Sequence, residues 1–325
     1  MALYLVTGIA GFIGSNIARE LIRLGEGVRG FDNFSTGKPE NIADIEERIE
    51  FQQLDLADVK GLKQVCRGVD FVLHQAAIPS VPRSVSDPLT SHLANVDGTL
   101  SLLLAARDAG VKRVVFAASS SAYGDTPTLP KREDMVPNPI SPYAVQKLAG
   151  ELYMSSFQKV YGLETVSLRY FNIFGPWQDP SSQYSGVLAR FISAMLAGET
   201  CTIYGDGEQS RDFTYIDNAV SANLLACSAP AERVSGKTFN VATGTRYSLN
   251  QTFEMLASIM GYAKSPRYAE PRSGDVKHSL ADISQARQAM GYDPKIGFET
   301  GLRRTVSWYS ECLTSKKASS SERSG

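Results

Sequence analysis

Three glycines near the start of this 325-residue chain, Gly8-Ile-Ala-Gly11-Phe-Ile-Gly14, do most to restrict what it can fold into. They follow Leu3-Tyr-Leu-Val-Thr, which reads as a buried strand. They precede Ile13, Ile17, Leu21 and Leu24, which recur at helical spacing. A strand that turns into a helix through glycines lets backbone approach a ligand closely. It also leaves the positive end of the helix facing outward, which suits a phosphate group.

The same logic requires a carboxylate about 20 residues further on, to hold ribose hydroxyls. Asp32 stands 18 residues beyond Gly14, at the end of a second strand. A carboxylate there repels a 2′-phosphate, so the loop is expected to take NAD rather than NADP. Asp55-Leu56, after a third strand, is placed for an adenine contact or for a plain helix cap. Gln75-Ala-Ala77, after a fourth, offers small residues beside a cofactor.

Short apolar runs continue at Val111–Ala117 and Glu164–Tyr170, with helical stretches at Ser91–Ala109 and Tyr143–Tyr161 between them. Strands alternating with helices predict an α/β fold: a Rossmann-like, doubly wound parallel sheet covered on both faces. After Asn172 turns and short elements are expected to dominate, with Lys237–Ala242 returning as a strand. This predicts a smaller α/β substrate-binding domain from 172–212 and 244–312, inserted against a cofactor-binding domain from 1–171 and 213–243. Residues 313–325, polar and small, are expected to be disordered.

Thirty-three basic residues against 34 acidic ones leave a net charge of −1, which provides no field for nucleic acid. No apolar run reaches membrane-spanning length and no secretory leader pattern opens the chain, so a cytoplasmic enzyme is expected. Four scattered cysteines and three widely spaced histidines predict no metal site.

Ser141-Pro-Tyr143-Ala-Val-Gln-Lys147 carries a helix start, with Ser141 as N-cap and Pro142 in the first turn. Tyr143 and Lys147 then share a helix face. A nearby ammonium and the positive ring of oxidised nicotinamide both favour a phenolate, which can take a hydroxyl proton as hydride leaves the adjacent carbon. Ser119-Ser-Ser121 follows the fifth strand, at the sheet edge where ligands bind in such folds. No histidine stands at nucleophile-elbow spacing, which argues against serine-hydrolase chemistry.

Taken together these residues resemble the extended short-chain dehydrogenase/reductase superfamily, and within it the nucleotide-sugar epimerases. Asn95, Arg169-Tyr-Phe-Asn-Ile-Phe-Gly-Pro176, Tyr204-Gly-Asp-Gly207, Arg211-Asp-Phe213, Asp217 and Arg272-Ser-Gly-Asp275 fall in the family's order. The resemblance implies a retained NAD and a 4-keto sugar intermediate, which turns over before hydride returns. The net reaction inverts C4 of a UDP-hexose and serves nucleotide-sugar metabolism and polysaccharide biosynthesis. Ser119, Tyr143 and Lys147 would be catalytic.

It also implies cofactor contacts from Gly8, Gly11, Phe12, Ile13, Gly14, Asp32, Asn33, Ser35, Thr36, Gly37, Asp55, Leu56, Gln75, Ala76, Ala77, Ala94, Tyr143, Lys147 and Ile173. Substrate contacts would come from Ser80, Arg83, Ser119, Ser120, Tyr143, Asn172, Val187, Tyr204, Arg211, Arg272, Asp275 and Ser279. The arginine forks suit the diphosphate.

Related sugar dehydratases carry an acidic pair after the position of Ser119, and the decarboxylases a glutamate two residues on. Ser120 and Ser121 fill those places here, so both activities, like a uronate epimerase, are secondary readings. A net oxidoreductase, or an NAD-sensing module without catalysis, are further alternatives. Ser279 occupies a place that is bulky in epimerases confined to non-acetylated sugars, which favours UDP-N-acetylglucosamine and UDP-N-acetylgalactosamine, with UDP-glucose and UDP-galactose also possible substrates. The family's dimers pair two helices per subunit, here Ser91–Ala109 and Tyr143–Tyr161.

Overall fold

A computed structural model describes residues 1–179, 186–271 and 277–322. The first elements are β1 (Leu3–Thr7), α1 (Phe12–Arg23), β2 (Gly27–Asp32), β3 (Glu50–Gln53), α2 (Val59–Val65) and β4 (Phe71–His74). Then come α3 (Val81–Ser86), α4 (Pro88–His92), α5 (Gly98–Asp108), β5 (Arg113–Ser119), α6 (Pro142–Tyr161) and β6 (Glu164–Tyr170). Beyond these lie β7 (Ile173–Phe174), α7 (Val187–Leu196), β8 (Thr202–Tyr204), β9 (Ser210–Arg211), β10 (Thr214–Tyr215) and α8 (Ile216–Ser228). The rest are α9 (Ala231–Val234), β11 (Lys237–Val241), β12 (Tyr247–Ser248), α10 (Leu249–Met260), β13 (Arg267–Ala269), α11 (Ser284–Met290) and α12 (Phe298–Glu322).

Seven strands form one parallel sheet in the order β11-β6-β5-β4-β1-β2-β3. The order reverses between β1 and β4, and such a switch point opens a crevice at the strands' carboxyl ends. Alternate strand residues feed two cores. Leu5, Val72, Val114 and Phe116 pack on one face with Leu62, Leu102 and Met154 of α2, α5 and α6. Val6, Leu73, Val115 and Val166 pack on the other with Ile17, Leu21 and Ala219 of α1 and α8. The expected doubly covered sheet is present, and β11 extends it beside β6 as its sequence suggested.

Buried Arg113 ties α8 to this sheet. Its Nη1 donates to the carbonyls of Ala226, Cys227 and Ala229 at 2.7, 2.9 and 2.8 Å, and its Nε to Glu164 at 2.8 Å. A cation at a helix C-terminus satisfies carbonyls that the helix itself leaves open. Local signals set α6 as well: Ser141 Oγ accepts from Ala144 N at 3.2 Å, and Gly162 closes the helix at φ 71°.

Two expectations need correction. The region after Asn172 contains substantial helices, α7, α10 and α12, where turns and short elements were expected. Their apolar residues recur at helical spacing, as in Leu188, Phe191, Ile192 and Met195, all buried. The stretch expected to be a disordered tail is largely helical, since α12 runs to Glu322. Ser91–Ala109 is helical in three pieces, with a wider π turn over Leu93–Asp97.

Candidate active site

At the switch point a cavity of about 570 Å³ opens between the ends of β1, β2 and β4. Gly8, with φ +65°, lies so close to β4 that a Cβ would fall 2.8 Å from the Ala76 Cα. A Cβ on Gly14 would sit 2.3 Å from the Gly8 carbonyl oxygen. No side chain caps α1, whose N-cap is Gly11. Gly11, Phe12, Ile13 and Gly14 line the cavity together with Asn33, Ser35, Thr36, Asp55, Leu56, Gln75, Ala76, Ala77 and Ala94.

Asp32 lines it too, and its oxygens accept from Ala10 N at 3.0 Å and Phe34 N at 2.8 Å. Burial raises its carboxyl above the usual range, and those N–H groups oppose the rise. Gly37 lies behind the wall, where a Cβ would meet Asp32 Oδ2 at 2.7 Å. Asp55 accepts from Asn33 Nδ2 at 2.5 Å and from Ala57 N at 2.8 Å.

Buried His74 supports this floor. Thr7 Oγ1 accepts from Ala76 N at 3.1 Å and meets His74 Nδ1 at 2.8 Å. Thr99 Oγ1 donates to Asn95 O at 2.7 Å and lies 3.0 Å from His74 Nε2. The network assigns the ring proton to Nε2. Burial, with the Lys147 charge adding to it, pushes the imidazole down to about 3, so it is neutral.

Ser119 ends β5, and its Oγ accepts from Ser121 N at 3.2 Å and Ser121 Oγ at 2.9 Å. The Tyr143 phenol, at the head of α6, lies near enough to Ser119 for that hydroxyl to act on it. Burial pushes that phenol up to about 12, and the Ser119 contact opposes the rise. Lys147 Nζ donates to the Ala117 carbonyl at 2.8 Å, and burial pushes the ammonium down to about 8 while Glu151 opposes the fall. Burial therefore leaves Tyr143 protonated at neutral pH. Proximity of Lys147 in sequence does not by itself make a phenolate.

A second cavity of about 690 Å³ is lined by Ser119, Ser120, Asn172, Val187, Tyr204, Arg211 and Ser279. Asn172 adopts φ +39° and is pinned there. Its Nδ2 donates to Asp212 O at 2.9 Å and to Ser279 Oγ at 3.1 Å. Buried Asp212 in turn takes the N–H groups of Thr243, Gly244 and Ala281 at 2.9, 3.0 and 3.2 Å. Arg211 Nη1 donates to Ser210 O and Lys277 O at 3.0 and 3.1 Å.

Besides Tyr143, Lys147 and Gly37, which line neither cavity, three assignments shift. Ile173, expected beside the cofactor, lines the second cavity, because its strand β7 pairs with β10. Ser80 and Arg83, expected beside the substrate, line the first, while Val81 and Pro82 between them line the second. Ser80 Oγ is also committed as the N-cap of α3, accepting from Arg83 N at 3.1 Å. Arg272 and Asp275 lie outside the described residues.

Other lining residues went unread in the sequence. Lys38 and Asp179 both line the first cavity and form an ion pair at 2.7 Å. Lys131 and Arg190 line the second. Lys38 directly follows the Gly37 turn, a usable signal, whereas Arg190 sits on α7, the helix that sequence reasoning missed. Among the described residues no cluster of histidine, cysteine or acidic side chains could hold a metal ion. No described helix is long and apolar enough to cross a membrane.

The family model for NAD dependent epimerases and dehydratases matches residues 4–242. A UDP-glucose 4-epimerase of Mycolicibacterium smegmatis is 40% identical over 310 residues, covering 94% of this chain and 97% of its own. The structure of a UDP-N-acetylglucosamine 4-epimerase from Methanobrevibacter ruminantium, in complex with UDP-N-acetylmuramic acid, superposes with a TM-score of 0.91. It is 41% identical and covers 95% of this chain and 98% of its own. A UDP-glucose 4-epimerase from Thermus thermophilus, solved with NAD, gives a TM-score of 0.85 at 37% identity, covering 95% and 99%. The glycine turn, packed so closely that a Cβ on Gly8 or Gly14 would strike neighbouring backbone, and the carboxylate of Asp32 on the cavity wall fit a dinucleotide. The chain is a member of the NAD-dependent epimerase/dehydratase family, and its cofactor is NAD.

Proposed function

We propose that the chain inverts C4 of UDP-hexoses, with UDP-N-acetylglucosamine and UDP-N-acetylgalactosamine as its preferred pair. One observation carries this reading: Ser119, which ends β5 beside the Tyr143 phenol, stands on the wall of the second cavity. In this reading Tyr143 takes the proton of the sugar O4 and later gives it back. Ser119 holds that oxygen in line, and Lys147, fixed to the Ala117 carbonyl, keeps a positive charge nearby. When bound, NAD supplies the hydride acceptor and donor, together with a positive ring charge that favours the phenolate.

Ser120 and Asn172 would orient the hexose, and Arg211 would face the diphosphate, with Arg272 and Asp275 proposed for the same end. Ser120 and Ser121 provide no carboxylic acid for eliminating water or for directing loss of carbon dioxide, so inversion is favoured over both. Ser279, a small residue on the cavity wall, leaves volume for an acetamido group.

A homodimer belongs to the same reading. Leu93, beside α4, and Leu152 of α6 are 52% and 65% exposed. Leucines this exposed on the helices expected to pair support a subunit contact.

The direct test incubates purified protein with the four UDP-hexoses, without added NAD, and reads products by NMR. Interconversion of the N-acetylated pair is expected. Absence of C4 inversion, or turnover only with stoichiometric added NAD, overturns the proposal.

A further inference from the structure

Tyr143, Lys147 and Glu151 recur every four residues along α6 and therefore share one helix face. Lys147 and Glu151 are both buried, at 4% and 6% exposure. Arg169 of β6, also buried, grips Glu151: its Nε lies 2.9 and 3.2 Å from the two carboxylate oxygens, and its Nη2 2.7 Å from one of them. The guanidinium sits 4.6 Å from the Tyr123 ring, whose hydroxyl donates to Asn240 Oδ1 at 2.7 Å. One carboxylate is thus shared between Arg169 and Lys147, and the three groups together carry a single net positive charge.

We propose that Glu151, clamped by Arg169, is a positioning residue for the reaction: it keeps the buried Lys147 ammonium charged and directed at the strand beside Tyr143. The proposal rests on the reading of Tyr143 as the acid–base group. A buried ammonium without a counter-charge loses its proton, because low polarity penalises the charged form. Each group that faces Lys147 can be named. On its own helix these are Tyr143 and Glu151, and on β5 the Ala117 carbonyl and the Phe116 ring, whose centre is 4.9 Å from Nζ. On β4 there is His74, neutral between its two threonines, and on β6 Arg169, in contact with Glu151. Glu151 is the only anion in this set of facing groups. Its carboxylate opposes the fall that burial imposes on Lys147.

Two substitutions should act with opposite sign. Glu151→Gln leaves two cations and no anion, so Lys147 should lose its proton at lower pH. Arg169→Met leaves Glu151 to Lys147 alone, so the proton should be held to higher pH. The full chain, labelled with ¹⁵N-lysine, reports this directly by NMR titration, with the Lys147 resonance assigned by its loss in Lys147→Arg. A fall of about tenfold in proton affinity is expected for Glu151→Gln, with a rise for Arg169→Met. The alkaline limb of kcat should move the same way in each variant. An unchanged midpoint in Glu151→Gln, or shifts of the same sign in both, overturns the proposal.

Should Glu151→Gln fail to fold, Glu151→Asp draws the charge back by one methylene. It should give a smaller fall in the same direction, and no fall counts against the proposal. The titration needs no turnover, so it fails or succeeds separately from the wild type's product spectrum, which judges the epimerase reading.

Discussion

At Tyr143 two physical tendencies meet. Burial holds the phenol neutral, up at about 12, and only added positive charge can bring it into the range of a useful base. Tyr143→Phe should therefore lower turnover by about 10²-fold or more while NAD content, read by absorbance after denaturation, stays unchanged. Near wild-type turnover would place the proton path elsewhere. Ser279 joins two roles that sequence could not separate. It lines the second cavity, and its hydroxyl accepts from Asn172 Nδ2 at 3.1 Å and from Asp212 N at 3.3 Å. Ser279→Tyr should raise KM for N-acetylated substrates more than for UDP-glucose, because only the former need the volume. Ser279→Ala keeps the volume and removes one of the two bonds that hold the Asn172 amide, so it should affect both classes alike. Steady-state kinetics with the two substrate classes separates these outcomes.

Elements whose signal is local were legible in sequence. The glycine turn, the Ser141-Pro142 helix start and the continuous apolar strands each depend on neighbouring residues, so β1, α1, α6 and the sheet were readable. What sets the second cavity is not local. Asp212 gathers N–H groups from residues 243, 244 and 281, and β8 pairs with β13 across more than 60 residues. No short window carries such pairings. The segment after β7 belongs to the same class. Pro176 O accepts from Asn16 Nδ2 at 3.1 Å, Gln178 O accepts from Tyr309 at 2.6 Å, and Asp179 reaches Lys38 across the first cavity. Lys38→Ala should speed NAD release about two- to fivefold, the size expected of one half-exposed ion pair, and the difference should shrink in high salt. Stopped-flow displacement of NAD measures it. Equal rates at low salt would mean that the pair does not restrain the cofactor.

Across the whole molecule, His74 couples stability to acidity. Its imidazole is neutral in the fold, with its pKa depressed to about 3, while an unfolded histidine protonates near 6.5. The unfolded state therefore binds the extra proton first, and stability present above pH 6.5 is lost as pH falls towards 3. Between pH 7 and pH 5 the loss should be about 2 kcal/mol in urea denaturation. His74→Gln should lack this part of the decline; an identical decline in the variant would place its origin in other groups. Association belongs to this scale too. For the dimer proposed above, Leu152→Glu puts charge on the exposed α6 face and should shift sedimentation from dimer to monomer, whereas an unshifted profile would overturn this contact. Gln178 and Gly186 stand on the walls of both cavities at once. In the proposed reading, grip on the dinucleotide and choice of sugar therefore share hardware, and directed evolution that replaces Gln178 or Gly186 for a new hexose will alter how long each molecule keeps its NAD.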